Sequence, residues 1–520
     1  MNQIKEYIKK EFKSSKDRKR NFNNIRALFD LTQKQEYTID DITWSDLEMD
    51  KIYEEVDRTY STLGEYVLYN ILRNPLMDEE NIRKRDKVIN DFENNIDLTT
   101  DIRYILFKLG FDRKNRLLEM LNGLLTINKK KYYLYLFLGI ILPIILISSA
   151  IIFKEPKFML GILALVYVNI AINQKENTTI KGSGLIYLRD LITTAKKISR
   201  LNYKEIDKYK NRIKSIIKNI TVIDRGTLMM KIGTLFGGMF ELFMVPFLIE
   251  QIVYYKISGE IEENKGKIYE LIYTIGEIDA LIGIASYKSS NKEKICSPEF
   301  SEDTKININL GYYPLLEKPV ANSININNKG IVLTGTNMSG KSTFLRMVGA
   351  NILMAQVFNF AFAKEYKACF FNIVSSISLK DDVDSGKSYY LAEAESLLRV
   401  IKALDKDMPV FTLIDEIFRG TNPIERISSS AEILSYINKR NALVIVATHD
   451  RELTDMLKEE YDFYFFGEKV DDSNGLKFDY KIKQGVSKSR NAIKLLDYIG
   501  YPKEIIDKSY KRCEEITNYM

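Results

Sequence analysis

A glycine-rich loop at residues 335–342 offers the most specific chemistry in this chain. Its sequence, Gly-Thr-Asn-Met-Ser-Gly-Lys-Ser, fits the pattern GxxxxGK[ST] and lies between an apolar run ending at Leu333 and an expected helix. Backbone N–H groups of such a loop surround phosphate oxygens, and the helix N-terminus adds its positive dipole. Lys341 is placed to reach the β- and γ-phosphates of a nucleotide, and Ser342 to bind Mg²⁺. The residues predicted to hold the nucleotide are Gly335, Thr336, Asn337, Met338, Ser339, Gly340, Lys341, Ser342 and Thr343.

Two further predicted strands end in polar side chains. Residues 410–414 lead into Asp415, placed to hold Mg²⁺, and Glu416, placed to act as general base on an attacking water. Residues 442–447 lead towards His449, the only histidine, placed to donate to the γ-phosphate. Taken singly, two acids also fit a surface loop and a lone histidine is more often structural. Together they predict one crevice at the carboxyl ends of parallel strands.

These motifs resemble those of the MutS family of mismatch-repair proteins. The matching stretches are TNMSGKSTF, DEIFRGTNP with Gly420 and Thr421, ATHDRELT, and DDVDSGKSYYLAE with Ser388 and Glu393. The resemblance implies ATP as the nucleotide, Mg²⁺ as the metal ion and DNA as the target. In the family the serine of the last motif faces the partner subunit's nucleotide, so the resemblance also implies a homodimer in which Ser388 acts in trans.

The resemblance continues outside these motifs but leaves one part of the family out. Residues 61–89 and 275–285 are similar to the start and end of the family's helical core, 311–323 to the lead-in to its ATPase, and 485–512 to its C-terminal dimerisation helices. The family's His-Pro pair is Tyr313-Pro314 here. Its mismatch readers carry Phe-x-Glu in an N-terminal domain, and this sequence has that pattern only at Phe153, Phe300 and Phe466. Mismatch recognition itself is therefore not expected.

Two uncharged runs interrupt the helical core. Residues 132–153 and 158–174 contain no charged side chain and would form helices of about 33 Å and about 25 Å. A bilayer core is about 30 Å thick, so the first run is long enough to cross it and the second is marginal. Lysines at 129–131 and 175 flank the pair and favour a cytoplasmic location for both ends. The alternative is a buried helical hairpin. A third apolar region, 232–255, contains Glu241 and Glu250 and favours a buried or interfacial helix.

Composition adds few constraints. The 520 residues are 45% hydrophobic and 28% charged, as in ordinary folded proteins, and the three cysteines form no CxxC pair, which argues against disulfides and zinc. The first twenty residues lack the apolar core of a secretory signal. Most of the net charge of +6 lies in residues 1–36, where Ile4, Tyr7, Ile8 and Phe12 follow a helical period. This basic helix fits packing on a neighbour, contact with anionic lipid, or contact with nucleic acid.

These observations predict an α/β P-loop NTPase domain of the ABC type, MutS-like, preceded by a mainly α-helical core with a transmembrane hairpin and followed by a helical tail. The predicted divisions are a basic helical segment (1–44), the first part of the core (45–131), the hairpin (132–174), the second part of the core (175–300), the ATPase domain (301–475) and a C-terminal dimerisation segment (476–520).

The expected function is that of an ATP-hydrolysing homodimer, anchored in the cell membrane with its ATPase domain in the cytoplasm. Its ATP state is expected to change the geometry of helical arms that act on DNA, and an unidentified protein partner is expected to respond. The first alternative is a membrane transport or export ATPase of the ABC class without a DNA role; the transporter signature LSGGQ is absent. The second is a non-enzymatic tether, against which the intact site residues argue.

Overall fold

The computed structural model describes residues 2–14, 18–125, 127–182, 184–235, 244–336, 338–377, 389–418, 422–471, 475–486 and 492–519. The chain divides into two compact units. The first comprises 1–33, 57–70 and 88–290, and the second comprises 34–56, 71–87 and 291–520. Segments 45–56 and 71–87, which the sequence-based division assigned to the helical core, thus belong to the same unit as the predicted ATPase domain.

The described part of the first unit is built from helices. Asparagine caps begin several of them; the Asn95 side chain, for example, accepts the Leu98 N–H at the start of Ile96–Leu109, which ends at Gly110 with φ 64°. Two helices, Thr62–Arg73 and Glu79–Asn94, run across the division between the units. The other helices of eight or more residues in this unit are Asn2–Lys10, Ile96–Leu109, Lys129–Leu136, Leu142–Phe153, Lys157–Gly182, Leu185–Ile198, Asp207–Asn219, Thr221–Leu235, Ile249–Glu263 and Lys265–Ser290.

The N-terminal helix Asn2–Lys10 packs on the first unit. Ile8 and Phe12 are buried, whereas Ile4 and Tyr7 are exposed. Lys5 forms an ion pair with Asp101 and Lys9 with Asp97, both acids of the helix Ile96–Leu109. Of the three interpretations of this basic segment, the structure thus shows packing on a neighbouring helix. The ion pairs neutralise part of the segment's positive charge.

The two apolar runs form a pair of consecutive helices. Lys129–Phe153 and Lys157–Glu176 are long and apolar enough to cross a membrane, with mean hydropathies of 2.8 and 1.4. Only 11% and 17% of their most apolar windows are buried within the described chain. Their outward side chains include Ile144, Ile151, Leu160, Leu163 and Tyr167. A core helix of a soluble protein hides most of its apolar side chains, whereas these two helices expose theirs within the described chain.

Two sheets lie in the second unit. A six-stranded sheet has the order β10-β9-β4-β8-β7-β6, in which the strands from β9 to β6 are parallel and β10 is antiparallel to β9. A mixed four-stranded sheet has the order β1-β5-β2-β3. The strands are β1 (Glu299–Phe300), β2 (Lys305–Gly311), β3 (Asn322–Asn327), β4 (Gly330–Thr334), β5 (Glu365–Ala368), β6 (Asn372–Ser376), β7 (Val410–Asp415), β8 (Ala442–Thr448), β9 (Tyr461–Asp471) and β10 (Gly475–Gln484).

Helices pack around the parallel strands. Every residue of β4, β7 and β8 is buried, and these apolar runs are typical of parallel strands covered on both faces. The helices of this unit are Asp41–Asp46, Met49–Val56, Lys341–Phe358, Tyr389–Ala403, Pro423–Asn438, Glu452–Met456, Ala492–Ile499 and Lys503–Tyr519.

A buried carboxylate explains why segment 34–56 belongs to the second unit. Asp46 accepts hydrogen bonds from the Ser375 hydroxyl (2.7 Å) and the Ile377 N–H (2.9 Å) at the end of β6. Its backbone carbonyl accepts from Arg346 Nε (2.9 Å), on the helix Lys341–Phe358. These partners lie about 300 residues away in sequence, so helical periodicity could not reveal them.

A second buried carboxylate, Asp279, holds the start of the helix Thr62–Arg73 in the first unit. It accepts from the Ser61 hydroxyl (2.6 Å) and the Tyr60 N–H (3.0 Å). Gly64 passes so close that a Cβ atom built there would lie 2.3 Å from an Asp279 carboxylate oxygen. The position therefore excludes any side chain unless the helix or Asp279 moves.

We expect Gly64→Ala to lower the free energy of unfolding by about 1–3 kcal/mol, the usual cost of overpacking a core. Gly259→Ala is the matched control, because a Cβ atom at this helical glycine meets nothing within 4 Å. It should be neutral or raise stability by up to about 1 kcal/mol. Urea denaturation of the detergent-solubilised protein, followed by circular dichroism, measures both. Equal midpoints for the two variants would contradict the close contact.

Candidate functional site

The glycine loop connects β4 to the helix Lys341–Phe358. Gly335 and Gly340 have φ values of 147° and 108°, in the region that favours glycine. A Cβ atom at Gly335 would approach the Ser339 hydroxyl at 3.0 Å and the Phe466 carbonyl at 3.1 Å. The two glycines therefore allow the chain to turn tightly between strand and helix, as the sequence motif predicts.

Lys341 is buried at the start of the helix. Its ammonium group donates to the carbonyl oxygens of Gly335 (2.8 Å) and Thr336 (3.0 Å) and lies 3.4 Å from His449 Nε2. The lysine side chain is thus folded back against its own loop, with its charge at the same end of the sheet as the histidine.

Ser342 and Asp415 meet beside the loop. The Ser342 hydroxyl donates a hydrogen bond to Asp415 Oδ2, and the carboxylate lies at the C-terminal end of β7. Hydroxyl and carboxylate oxygens are ligands that Mg²⁺ accepts readily. The two residues that the sequence predicts to hold Mg²⁺ therefore lie within hydrogen-bonding distance of each other.

Glu416 and His449 form the second polar pair. Glu416 Oε1 lies 3.0 Å from His449 Nε2. Glu416 has φ 65° and Phe418 has φ 56°, both in the left-handed region that residues other than glycine rarely adopt. Such strained backbone persists only where surrounding contacts maintain it, and it occurs most often at functional sites. The chain turns sharply after β7, which directs the Glu416 side chain towards the histidine.

A cavity of about 1020 Å³ opens beside these groups, large enough for a nucleotide. Its polar lining includes Lys341, Ser342, Asp415 and Glu416. Sequence reasoning did not assign the remaining wall, which comes from separate strands and loops: Tyr313, Leu316, Lys318, Val320, Asn322, Ile377, Phe466 and Tyr480. For the first five of these residues, the sequence offers one indication of a role in the site, namely the resemblance of residues 311–323 to the family's ATPase lead-in. Phe466 and Tyr480 lie on β9 and β10, and neither belongs to a nucleotide-binding motif.

Tyr313 occupies the position of the family's histidine and belongs to this wall. Its hydroxyl donates to the Leu47 carbonyl (3.2 Å) and lies 3.1 Å from Glu48 Oε2. Burial, followed by the nearby Glu48 charge, raises the pKa of Tyr313 above its ordinary value, so the phenol stays neutral at physiological pH. Tyr313 therefore anchors the cavity wall to the segment 34–56.

The structure brings the predicted site residues together wherever it describes them. Lys341, Ser342, Asp415, Glu416 and His449 converge at the C-terminal ends of β4, β7 and β8. Met338 and Thr343 also line the cavity. Asn337, Ser388, Gly420 and Thr421 lie outside the described residues.

Fold and site together define an α/β protein in which a glycine loop, an acidic strand end and a histidine meet at one edge of a parallel sheet. Comparison with protein families matches residues 331–517 to MutS domain V. The DNA mismatch repair protein MutS of Thermotoga maritima is 31% identical over 278 residues, 51% of this chain and 34% of the relative. The same protein of Listeria welshimeri is 29% identical over 281 residues, 52% of this chain and 32% of the relative.

Residues 331–517 are thus similar to MutS domain V, and about half of the chain is similar to MutS proteins. The resemblance drawn from the motifs is thereby confirmed. The matched part of the chain spans about a third of the length of these curated relatives, 34% and 32% for the two described.

Proposed function

We propose that this protein is a MutS-like ATPase that converts ATP and water to ADP and phosphate with Mg²⁺. The observation that carries the proposal is the convergence of Lys341, the Ser342–Asp415 pair and the Glu416–His449 pair beside one cavity. The match to MutS domain V supports it, because the matched range includes all five residues.

The residues present fit a nucleotide with its metal ion. The Ser339 hydroxyl is buried in the loop and has no hydrogen-bond partner among the described residues, so it is available to a phosphate oxygen. The helix N-terminus after Gly340 adds N–H groups that favour an anion. The cavity continues from these groups to an apolar wall that includes Leu316, Val320 and Phe466, which suits a base.

Each polar side chain has a distinct task in this proposal. Lys341 exchanges its loop carbonyl partners for phosphate oxygens, which places positive charge where negative charge accumulates. Ser342 and Asp415 hold Mg²⁺, which would neutralise phosphate charge. Glu416 orients the attacking water and accepts its proton.

His449 acts on two groups in this arrangement. It lies within reach of both Glu416 and the Lys341 ammonium. One ring nitrogen serves one partner at a time: with a hydrogen on Nε2, the ring donates to the Glu416 carboxylate or, once ATP is bound, to a phosphate oxygen. His449 is therefore assigned to positioning Glu416 as well as to contact with the γ-phosphate.

We expect Lys341→Ala and Glu416→Gln to fail in different ways. Lys341 contacts phosphate before and during the reaction, so its loss should weaken ATP binding and turnover together. Glu416→Gln should retain ATP binding while turnover falls at least ~100-fold, the scale of a lost general base. Equilibrium binding of a fluorescent ATP analogue and steady-state phosphate release measure the two effects. Glu425→Gln is the control, since this exposed carboxylate begins the helix that follows the site. Wild-type turnover by Glu416→Gln would refute the assigned mechanism.

The active assembly in this proposal is a homodimer with composite nucleotide sites. Support comes from the family motif that contains Ser388, whose serine faces the partner's nucleotide in relatives. The helix Tyr389–Ala403 follows directly and is tied to segment 34–56 through Arg399, which bonds Asp40 and the Thr43 hydroxyl. Nucleotide bound across the dimer would thereby act on a segment that runs into the helical core.

ATP should therefore increase the dimer fraction of Glu416→Gln relative to ADP, because unhydrolysed ATP bridges the two subunits. Adding Ser388→Arg should abolish this difference by placing a bulky side chain at the shared nucleotide. Sedimentation velocity in detergent measures the dimer fraction, and Ser430→Ala serves as a serine control inside the same unit. A dimer fraction that does not depend on the nucleotide would remove the composite site but leave the ATPase assignment intact.

DNA is the proposed target, and the membrane is the proposed location. The relatives' names describe DNA mismatch repair, which supports a DNA role. The two exposed apolar helices support anchoring by a hairpin spanning the cell membrane, with the ATPase domain on the cytoplasmic side. A protein partner that responds to the ATP state completes the proposal.

The hairpin also favours a second candidate, a membrane ATPase of the ABC class for transport or export without a DNA role. DNA distinguishes the two functions, since a DNA-acting MutS-like protein changes its turnover when its target binds. We expect short duplex or branched DNA to change the ATPase rate of detergent-purified protein at least about twofold at low salt, with the effect lost as salt rises. An ATPase rate indifferent to every DNA form, together with no DNA binding at low salt, would favour the transport function.

A further inference from the structure

The part of the third apolar region that lies at residues 244–255 packs along the hairpin, whereas residues 236–243 lie outside the described residues. Residues 245–248 form turns, and the helix Ile249–Glu263 follows. Met244 and Leu248 are buried, whereas Phe247 is 41% exposed. Two sets of polar contacts hold this segment against the hairpin. One set lies near the charged ends of the two hairpin helices, and the other lies further along the helices.

The shallow set surrounds Glu176. This carboxylate accepts hydrogen bonds from Lys131 Nζ (2.7 Å) and the Tyr135 hydroxyl (3.0 Å), and on its other oxygen from the Tyr255 hydroxyl. Lys131 immediately precedes the uncharged run, and two further tyrosines, at 132 and 133, follow it. Ion pairs and tyrosines are typical of the boundary between hydrocarbon and headgroups, so this set marks the cytoplasmic edge of the membrane.

The deeper set surrounds Asn169. Its amide nitrogen donates to the Leu138 carbonyl (3.2 Å) and to the Pro246 carbonyl (2.7 Å). Leu138 lies seven residues beyond Lys131 on one hairpin helix, and Asn169 lies seven residues before Glu176 on the other. Both helices therefore place the deeper set about 10 Å below the shallow one. Pro246 lies nine residues before Tyr255 of the shallow set, and this spacing agrees with the same difference in depth.

We propose that residues 244–252 form a re-entrant turn that enters the cytoplasmic leaflet beside the hairpin and presents Phe247 to lipid acyl chains. This inference rests on the membrane insertion of the hairpin in the proposed function. Each leaflet contributes about 15 Å of hydrocarbon, so a turn at a depth of about 10 Å enters one leaflet without crossing the bilayer. The segment is neither a third span nor part of a water-exposed core.

The backbone of the turn is suited to that depth. Non-helical backbone is tolerated in a membrane only where protein satisfies its polar groups. Asn169 satisfies the Pro246 carbonyl, and proline has no N–H to satisfy. The Phe247 carbonyl lies against Gly139, where a Cβ atom would come within 2.1 Å of its oxygen. Gly139 lies in a π-helical turn, Phe137–Ile141, a local irregularity that accommodates the approach.

The charged side chains near the turn, Glu250 and Lys256, are compatible with the proposed depth of residues 244–252. Glu250 lies in the first turn of the helix Ile249–Glu263, where unpaired N–H groups stabilise a carboxylate. It is half-buried and interacts with another residue of the chain. Lys256, the next charged residue, is exposed and lies beside Tyr255, at the level of the shallow set.

Tryptophan quenching by brominated lipids tests the depth in the full-length protein. Three variants, Phe247→Trp, Ile145→Trp and Phe107→Trp, replace exposed apolar residues in the turn, the hairpin and the helix Ile96–Leu109. Each is reconstituted into phosphatidylcholine–phosphatidylglycerol vesicles brominated near the headgroup end or the methyl end of the acyl chain. Wild-type emission, from Trp44, is subtracted.

A depth of about 10 Å lies nearer the methyl ends than the headgroups of a leaflet about 15 Å thick, so we expect the emission added by Phe247→Trp to be quenched about twofold more by the deep bromine than by the shallow one. The emission added by Ile145→Trp should be quenched more by the deep bromine, and that added by Phe107→Trp by neither. Quenching in Ile145→Trp without quenching in Phe247→Trp would overturn the re-entrant turn and leave the membrane hairpin standing. Absence of quenching in Ile145→Trp would overturn the membrane part of the proposed function and this inference with it.

Two glycine variants test the packing that holds the turn. Gly139→Ala in the Phe247→Trp background should displace the backbone at position 247 and change the quenching by the deep bromine at least about twofold. Gly161→Ala is the matched control in the other hairpin helix, because a Cβ atom there meets only the Leu146 side chain, at 3.5 Å. Identical quenching in both variants would overturn the contact between the turn and Gly139.

Discussion

The parallel pairing of β4 with β8, and of β8 with β7, is the contact on which the candidate site depends. In this register Thr334 lies beside Thr448 and Asp415 beside Ala447. The glycine loop, the acidic pair and the histidine therefore leave the sheet at the same edge, although more than a hundred residues separate the first from the last. A shift by one residue would invert the side chains of a strand and separate Asp415 from Ser342.

Buried carboxylates link segments that are distant in sequence. Asp46 joins the segment 34–56 to β6, and Asp279 holds the start of the helix Thr62–Arg73. Asp57 adds a third such link: burial alone would raise its pKa, but Arg18 and Arg20 hold that pKa below its usual value. Removing one partner from such a group leaves a buried charge or donor unsatisfied, so these links specify the path of the chain within each unit as well as its stability.

The hairpin, for which we propose a lipid environment, is also held by polar contacts. Its outward side chains are apolar, and its inward contacts are carried by two polar side chains, Glu176 and Asn169. Hydrophobic packing gives little preference for one register between helices in lipid, whereas a hydrogen bond has one geometry. The two polar residues therefore fix how residues 244–255 lie along the hairpin.

The sequence by itself determined the residues of the candidate nucleotide site, because each motif is local: a loop between strand and helix, two acids after one apolar run, and a histidine after another. It also determined the apolar hairpin, since the absence of charge over 22 residues is read directly from the chain. Only the tertiary structure decided that segments 34–56 and 71–87 join the second unit, that Phe466 and Tyr480 close the cavity, and that the basic N-terminal helix packs on carboxylates. Local periodicity reports which face of an element is buried, but the choice of partner depends on contacts between residues far apart in the sequence, which no single segment encodes.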